Sequence, residues 1–172
     1  VKNQWDELAV ADYRKTSFTY GQLAAEIEKT ILCWTAAGLK KGDKVAINAR
    51  SSASWARVFM SAQIGEFVSV QIFTGFTPAD TAGLVNHSES RILYTEQGIF
   101  SKMDFEQMPQ LLAAIDTNTG ELLASRGGFD AIYSRKEEIF AMSHPGGFSA
   151  EDVCYPDVPL DALAAIMYTS GS

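Results

Sequence analysis

The residues best suited to chemistry are Thr169-Ser170-Gly171-Ser172, which follow the apolar run Leu163 to Tyr168. A buried strand passing into a hydroxyl- and glycine-bearing turn is a usual way to hold phosphate oxygens, because consecutive backbone N–H groups form a concave anion site. Gly171 lets the backbone approach a ligand closely and adopt positive φ. Thr169, Ser170 and Ser172 add hydroxyl donors without bulk. A lysine usually completes such a loop, and the sequence ends before one appears. Taken alone, a turn of this kind is more often a plain loop than a phosphate site. The common fingerprints do not apply: there is no G-x-x-x-x-G-K-S/T, and no G-x-G-x-x-G after a strand. The first long strand leads instead into Ala49-Arg50-Ser51-Ser52, which has no glycine.

Other reactive residue types have plainer readings. Cys33 and Cys154 lack metal-type spacing, and His87 and His144 are not placed to complete a site. Cys33 falls in an apolar helical pattern and reads as core. Cys154 reads as an ordinary loop thiol in a reducing compartment. His87 lies near a helix end, where it is suited to capping carbonyls. Glu137 and Glu138 read as solvated helix positions rather than an acid/base pair, and Lys40 and Lys41 as a solvated turn. Trp34 and Trp55 lie on apolar helical stripes and read as core. Trp5 has no pattern around it.

Apolar residues make up 47% of the 172 and charged residues 20%, enough for a packed core. The formal net charge of −7 excludes nucleic acid as a bulk electrostatic partner and disfavours an anionic membrane surface. A local loop can still bind a small anion against that field. No secretory leader is visible near Val1, and the charge-free stretch from Phe67 to Ala79 is too short for a span of about 20 residues. These features predict a cytoplasmic protein without a transmembrane segment. A start on Val1 and an abrupt end at Ser172 predict a piece of a larger protein, residues 1–172 forming a single domain.

The elements that must position the final turn are legible in order. Ala9 to Ala11 reads as a short strand, and Tyr13 to Ser17 as a turn. Thr19 with Gln22 forms a capping box. Behind it Leu23, Ile27, Ile31 and Trp34 recur at helical spacing, and Gly38 with Leu39 suits a Schellman-type stop. Val45 to Asn48 reads as a buried strand. Ser54 is the expected cap of a second helix carrying Trp55, Val58, Phe59 and Ala62, closed near Gly65. Val68 to Phe73 is a strand with Val68, Val70 and Ile72 on one face; Ser69 and Gln71 opposite predict a half-covered strand.

Thr77-Pro78-Ala79-Asp80 starts a third helix, and Arg91 to Thr95 is the next strand. Helices alternating with strands over such short connections predict a largely parallel sheet flanked by helices, built by right-handed crossovers. Beyond Thr95, Ile99 to Phe105 reads as helical. Leu111 to Ile115 is open between strand and helix; as a strand it would form a hairpin with Leu122 to Ala124 through Thr117-Asn118-Thr119-Gly120. Ala131 to Tyr133 reads as a short strand. Ser134 with Glu137 reads as a capping box opening a helix through Met142. His144-Pro145-Gly146-Gly147 breaks that helix, Ser149 to Pro159 reads as a surface segment, and Leu163 to Tyr168 is the final strand.

This arrangement resembles the adenylate-forming superfamily of AMP-dependent synthetases and ligases, in particular its acyl-CoA synthetase branch. Ser17-Phe18-Thr19-Tyr20-Gly21-Gln22-Leu23 is similar to the family's entry into its first long helix. The run from Gly38 to Ile47 resembles its G-x-x-K-G-D-x-V-A-I turn and strand. Val68 to Phe73 is similar to its V-x-V-P-I-Y strand, and His87 to Leu93 to its approach to the next strand. Asp161 to Gly171 resembles D-x-A-x-I-x-Y-T-S-G, the start of its nucleotide-phosphate loop. Gln71 stands where the family prefers Pro, and Glu66-Phe67 where a small Gly-Ala pair is usual.

The resemblance implies the fold of an N-terminal subdomain of such a ligase and a two-step reaction. A carboxylate, by overall likeness a fatty acid, attacks the α-phosphate of ATP, and the thiol of CoA then takes the acyl group. By the same resemblance Thr169, Ser170, Gly171 and Ser172 hold the β- and γ-phosphates, and Mg²⁺ neutralises phosphate charge. No residue of this stretch is assigned as catalytic or metal-binding. The stretch alone is expected to be inactive and, cut from its neighbours, to self-associate through exposed apolar surface. The alternatives are a non-catalytic α/β interaction module and a nucleotide-binding regulatory domain.

Overall fold

The computed structural model describes residues 2–168. A short antiparallel hairpin opens the chain, β1 (Leu8–Ala11) against β2 (Ser17–Thr19), joined by the turn at Asp12–Thr16. Trp5 packs beside this hairpin against Gly21, where a side chain would collide with the indole, and its ring lies 6.1 Å from that of Phe148. Nothing local in the sequence announces this contact, because its partners are 16 and 143 positions away.

α1 (Tyr20–Ala36) begins with the predicted reciprocal box, Thr19 accepting from Gln22 N–H and the Gln22 side chain accepting from Thr19 N–H. It ends as a Schellman motif: Gly38 N–H donates to Thr35 O, Leu39 N–H to Trp34 O, and Gly38 takes φ +86°. β3 (Lys44–Asn48) follows, then α2 (Ala53–Ile64), β4 (Val68–Gln71), α3 (Pro78–His87) and β5 (Ser90–Thr95). The cap of α2 is Ser52, which accepts from Trp55 N–H, and not Ser54. Ser54 is buried inside the first turn, where small size matters and capping does not.

α4 (Gln97–Phe100) is one turn long. The helix expected over Ile99 to Phe105 stops there, and a 3₁₀ turn at Phe105–Gln107 follows, capped by Asp104. β6 (Ala113–Asp116) and β7 (Leu122–Ser125) form the antiparallel hairpin that was one of two readings of this region. Ala131 to Tyr133, expected as a strand, lies in α5 (Phe129–Ser134). Phe129 anchors that helix in the core, and tertiary packing overrides the β preference of an Ile-Tyr pair. α6 (Lys136–Ser143) has no side-chain cap: Ser134 donates backwards to Ala131 O, so the Ser134–Glu137 box does not form. β8 (Ala165–Met167) closes the described chain.

The main sheet has the order β7-β6-β5-β3-β4-β8, parallel at every pair except β6–β7. Alternation along the strands divides the core between its two faces. Val45, Ile47, Ile92 and Tyr94 join Trp34 of α1, Val58 and Ala62 of α2, and Phe129. Ala46, Val70 and Leu93 join Ala82 and Val85 of α3 with Met108 and Leu111. Helices therefore cover both faces. β4 is not half-covered as expected, since Ser69 is wholly buried. Among the described residues no helix is long and apolar enough to cross a membrane.

Candidate functional site

In a parallel sheet the strands deliver their loops to one edge, and in open α/β sheets ligands bind outside that carboxyl edge. The last residues of the strands form a row here. Asp116 is level with Thr95, and Thr95 with Asn48. On the other side Ile47 is level with Gln71, and Gln71 with Met167. β8 thus runs parallel beside β4 and sends Tyr168 out at the same edge as Asn48, Thr95 and Asp116.

Local bonds fix this delivery. Before β8, Ala164 O accepts from Ser69 N–H at 3.1 Å and from Gln63 Nε2 at 3.0 Å. Ile166 and Tyr168 pack on the Val70, Ile72 and Ala82 side of the sheet. At the exit, His87 Nδ1 lies 2.7 Å from the Tyr168 hydroxyl, with the two rings edge to face. His87 therefore joins the last residue of α3 to the residue after β8, and among the described residues its ring bonds Tyr168 instead of capping a carbonyl of its own helix.

The three polar strand ends are stitched to their neighbours. Asn48 Nδ2 donates to the carbonyls of Ile72 and Phe73, both at 3.2 Å, tying β3 to the segment after β4. Thr95 O accepts from both the backbone N–H and the hydroxyl of Thr117. The Asp116 carboxylate accepts three backbone N–H bonds, from Gln97, Asn118 and Thr119. Burial alone would push its pKa up. The N–H groups of Thr119, Gln97 and Asn118 outweigh that and hold it below the ordinary value. Asn48 Oδ1 and Thr95 Oγ1 are buried without a partner among the described residues.

Beside them Arg50, after β3, grips Glu96, after β5. The backbone N–H and Nε of Arg50 donate to Oε1, and Nη2 donates to Oε2 at 2.7 Å. This hydrogen-bonded guanidinium lowers the Glu96 pKa. β4 lies on one side of β3 and β5 on the other, so the winding reverses at this point. A cleft of about 540 Å³ opens there, walled by Lys15, Arg50, Ser52, Glu96 and Asn118.

Thr169, Ser170, Gly171 and Ser172, expected from the sequence to hold phosphate, lie outside the described residues. What the structure does give is their approach, through Tyr168. Among the described residues no group of three or more His, Cys, Asp or Glu side chains could hold a metal ion. Cys33 is buried and Cys154 exposed, and neither forms a disulfide. Glu137 pairs with Lys29 and Glu138 with Arg135, so the two acids do not act together.

Sequence reasoning passed over Asn48, Thr95 and Asp116. A signal was present: each is the polar residue that closes a three-residue run of apolar or aromatic side chains, in Val-Ala-Ile-Asn, Ile-Leu-Tyr-Thr and Ala-Ala-Ile-Asp.

A family profile described as AMP-binding enzyme matches residues 1–172. Among curated proteins, the crotonobetaine/carnitine–CoA ligase of Proteus mirabilis (strain HI4320) is 23% identical over 188 residues. The match takes in 100% of this chain and 34% of that ligase, so the chain spans about a third of the relative's length. Among solved structures, the anthranilate CoA ligase AuaEII in complex with anthranoyl-AMP superposes with a TM-score of 0.75 at 16% identity, over 99% of this chain and 30% of that one. ATP-bound MatB from Rhodopseudomonas palustris gives a TM-score of 0.67 at 18% identity, over 99% and 30%. The O-succinylbenzoate Coenzyme A synthetase MenE from Bacillus subtilis, in complex with AMP, gives 0.62 at 19% identity, over 96% and 36%. The structural likenesses establish the fold.

Proposed function

Because this chain belongs to the AMP-binding enzyme family over its whole length, we propose that it is the N-terminal part of an AMP-forming acid–thiol ligase. The reaction has two steps. A carboxylate oxygen attacks the α-phosphorus of ATP, the bond to the β-phosphate oxygen breaks, and pyrophosphate leaves. The sulfur of CoA then attacks the acyl carbon of the adenylate, its proton passing to solvent, and AMP leaves.

One observation carries this reading. β8 runs parallel to β4 and ends at the carboxyl edge of the sheet, and the sequence that follows Tyr168 there is Thr169-Ser170-Gly171-Ser172. In this proposal those hydroxyls and N–H groups hold the β- and γ-phosphates of ATP, and the His87–Tyr168 bond sets the point from which the loop departs. Mg²⁺, when bound, would neutralise phosphate charge, as in other phosphoryl transfers.

For the acid we take a fatty acid as the working substrate, on overall likeness to the acyl-CoA synthetase branch. The relatives are named for crotonobetaine or carnitine, anthranilate and O-succinylbenzoate, so a panel of acids must include these. The test is carboxylate-dependent ATP–pyrophosphate exchange by the longer protein that contains residues 1–172. Exchange that starts on addition of one acid of the panel supports the proposal. A folded protein that exchanges with none contradicts it.

A further inference from the structure

A second polar site lies in the helical layer, away from the carboxyl edge. α1, α2, β5, α5 and α6 converge on a cavity of about 20 Å³ that three cations, Lys29, Arg57 and Lys136, line together with Thr30, Cys33 and Tyr94. About 10–15 Å³ is enough for one water-sized occupant, so the space suits a single small particle and no nucleotide.

The lining is rich in donors and poor in acceptors. The two nearby carboxylates, Glu26 and Glu137, are both spent on Lys29, at 2.7 and 2.9 Å. The Thr30 hydroxyl donates to Glu26 O and accepts from Arg57 Nη1 at 3.2 Å. That is the hydrogen bond Arg57 makes among the described residues, and it leaves most of its N–H donors unspent. Lys136 sits over the Tyr133 ring, 4.2 Å from its centroid, a contact that uses charge but supplies no acceptor atom. Tyr133 itself donates its hydroxyl to Gly120 O.

Three cations against two carboxylates leave one positive charge facing the cavity. Among the described residues the one lining carboxylate, Glu26, is engaged by Lys29. Burial raises the Cys33 pKa to about 11 despite nearby Lys136, so the thiol stays protonated. Burial likewise raises Tyr94, so its phenol stays protonated. Both remain further donors. Arg57 and Lys136 are half-buried, so water reaches their donors, and a bound anion would supply a fixed acceptor together with the missing negative charge.

We propose that this cavity is a binding site for one small monovalent anion of the halide class, chloride under ordinary conditions. Arg57, Lys136 and the Tyr94 hydroxyl are its ligands. The anion ties α2 and α6 to β5 across the helical face of the sheet. It does so within a protein whose net charge is −7, so the attraction is local.

The test compares thermal unfolding of the chain in sodium chloride, sodium bromide and sodium gluconate at equal ionic strength. Chloride and bromide should raise Tm over gluconate by about 3–6 °C when the halide stands roughly tenfold above its Kd. The increment should vanish in Arg57→Gln and in Lys136→Met. Lys136, on a short outer helix, provides the readable variant if Arg57→Gln does not fold. Crystals soaked in bromide should show an anomalous peak against Arg57. Equal Tm in the three salts, or no bromide peak in the cavity, overturns the proposal and leaves water as the occupant.

Discussion

His87 and Tyr168 stand 81 positions apart and meet at 2.7 Å, Nδ1 to phenolic oxygen, joining the last residue of α3 to the residue after β8. Tyr168→Phe removes this bond and keeps the ring contact. We expect a loss of about 0.5–1.5 kcal/mol, toward the low end because His87 is exposed. A double-mutant cycle with His87→Phe, read by urea unfolding of the chain, should show positive coupling. In the longer protein Tyr168→Phe should raise KM for ATP and leave KM for the acid unchanged. An unchanged KM for ATP would separate Tyr168 from the phosphate loop.

Asp116 gives the sheet edge a pH dependence. Its pKa is lower in the folded chain than its ordinary value of 3.8. Its contribution is therefore fully present above that ordinary value and is lost as pH falls through the folded one. Asp116→Asn leaves three N–H donors without a carboxylate and should cost about 1–3 kcal/mol near neutral pH. The difference from wild type should shrink once pH drops below 3.8. Urea midpoints measured against pH check this, and a difference independent of pH would refute the assignment.

The start of α1 is worth a single substitution. Thr19→Ala breaks the reciprocal box and should destabilise the chain by about 1 kcal/mol, a fall in Tm of about 2–4 °C. Gln22→Ala removes only the return bond and should cost less. A calorimetric scan of the three proteins decides.

Local chemistry made most of the fold legible. Thr19 with Gln22, Gly38 with Leu39, and Thr77 with Pro78 are signals written within four residues, and each appears as predicted. Two local capping signals misled, Ser54 in place of Ser52 and the Ser134–Glu137 box, and the other misreadings arose where distant partners decide. Ala131 to Tyr133 is helical because Phe129 is held in the core, and Ser69 is buried although it shares a polar face with Gln71. Trp5 was unreadable because its partners Gly21 and Phe148 come from other parts of the chain. For the proposed site, sequence chemistry picked out Thr169 to Ser172, which lie outside the described residues; the structure describes β8, which precedes them. It could not find Asn48, Thr95 and Asp116 as a row, because only strand register aligns them.

The chain by itself covers about a third of the related ligase's length. Positioning of nucleotide and acid supplies much of the rate in such reactions, with effective molarities that reach about 10⁵–10⁸ M. Residues 1–172 alone should therefore show no acid-dependent exchange, even while folded by circular dichroism. Exchange by the purified 172-residue chain would mean that the site is complete within it.

The most direct test is exchange of labelled pyrophosphate into ATP by the longer protein, run over the acid panel with wild type and Ser170→Ala side by side. The proposal predicts exchange that depends on a carboxylic acid and falls by about tenfold or more in Ser170→Ala, as when one donor to a charged reacting group is removed. Exchange with no acid of the panel, or exchange that Ser170→Ala leaves untouched, would contradict it.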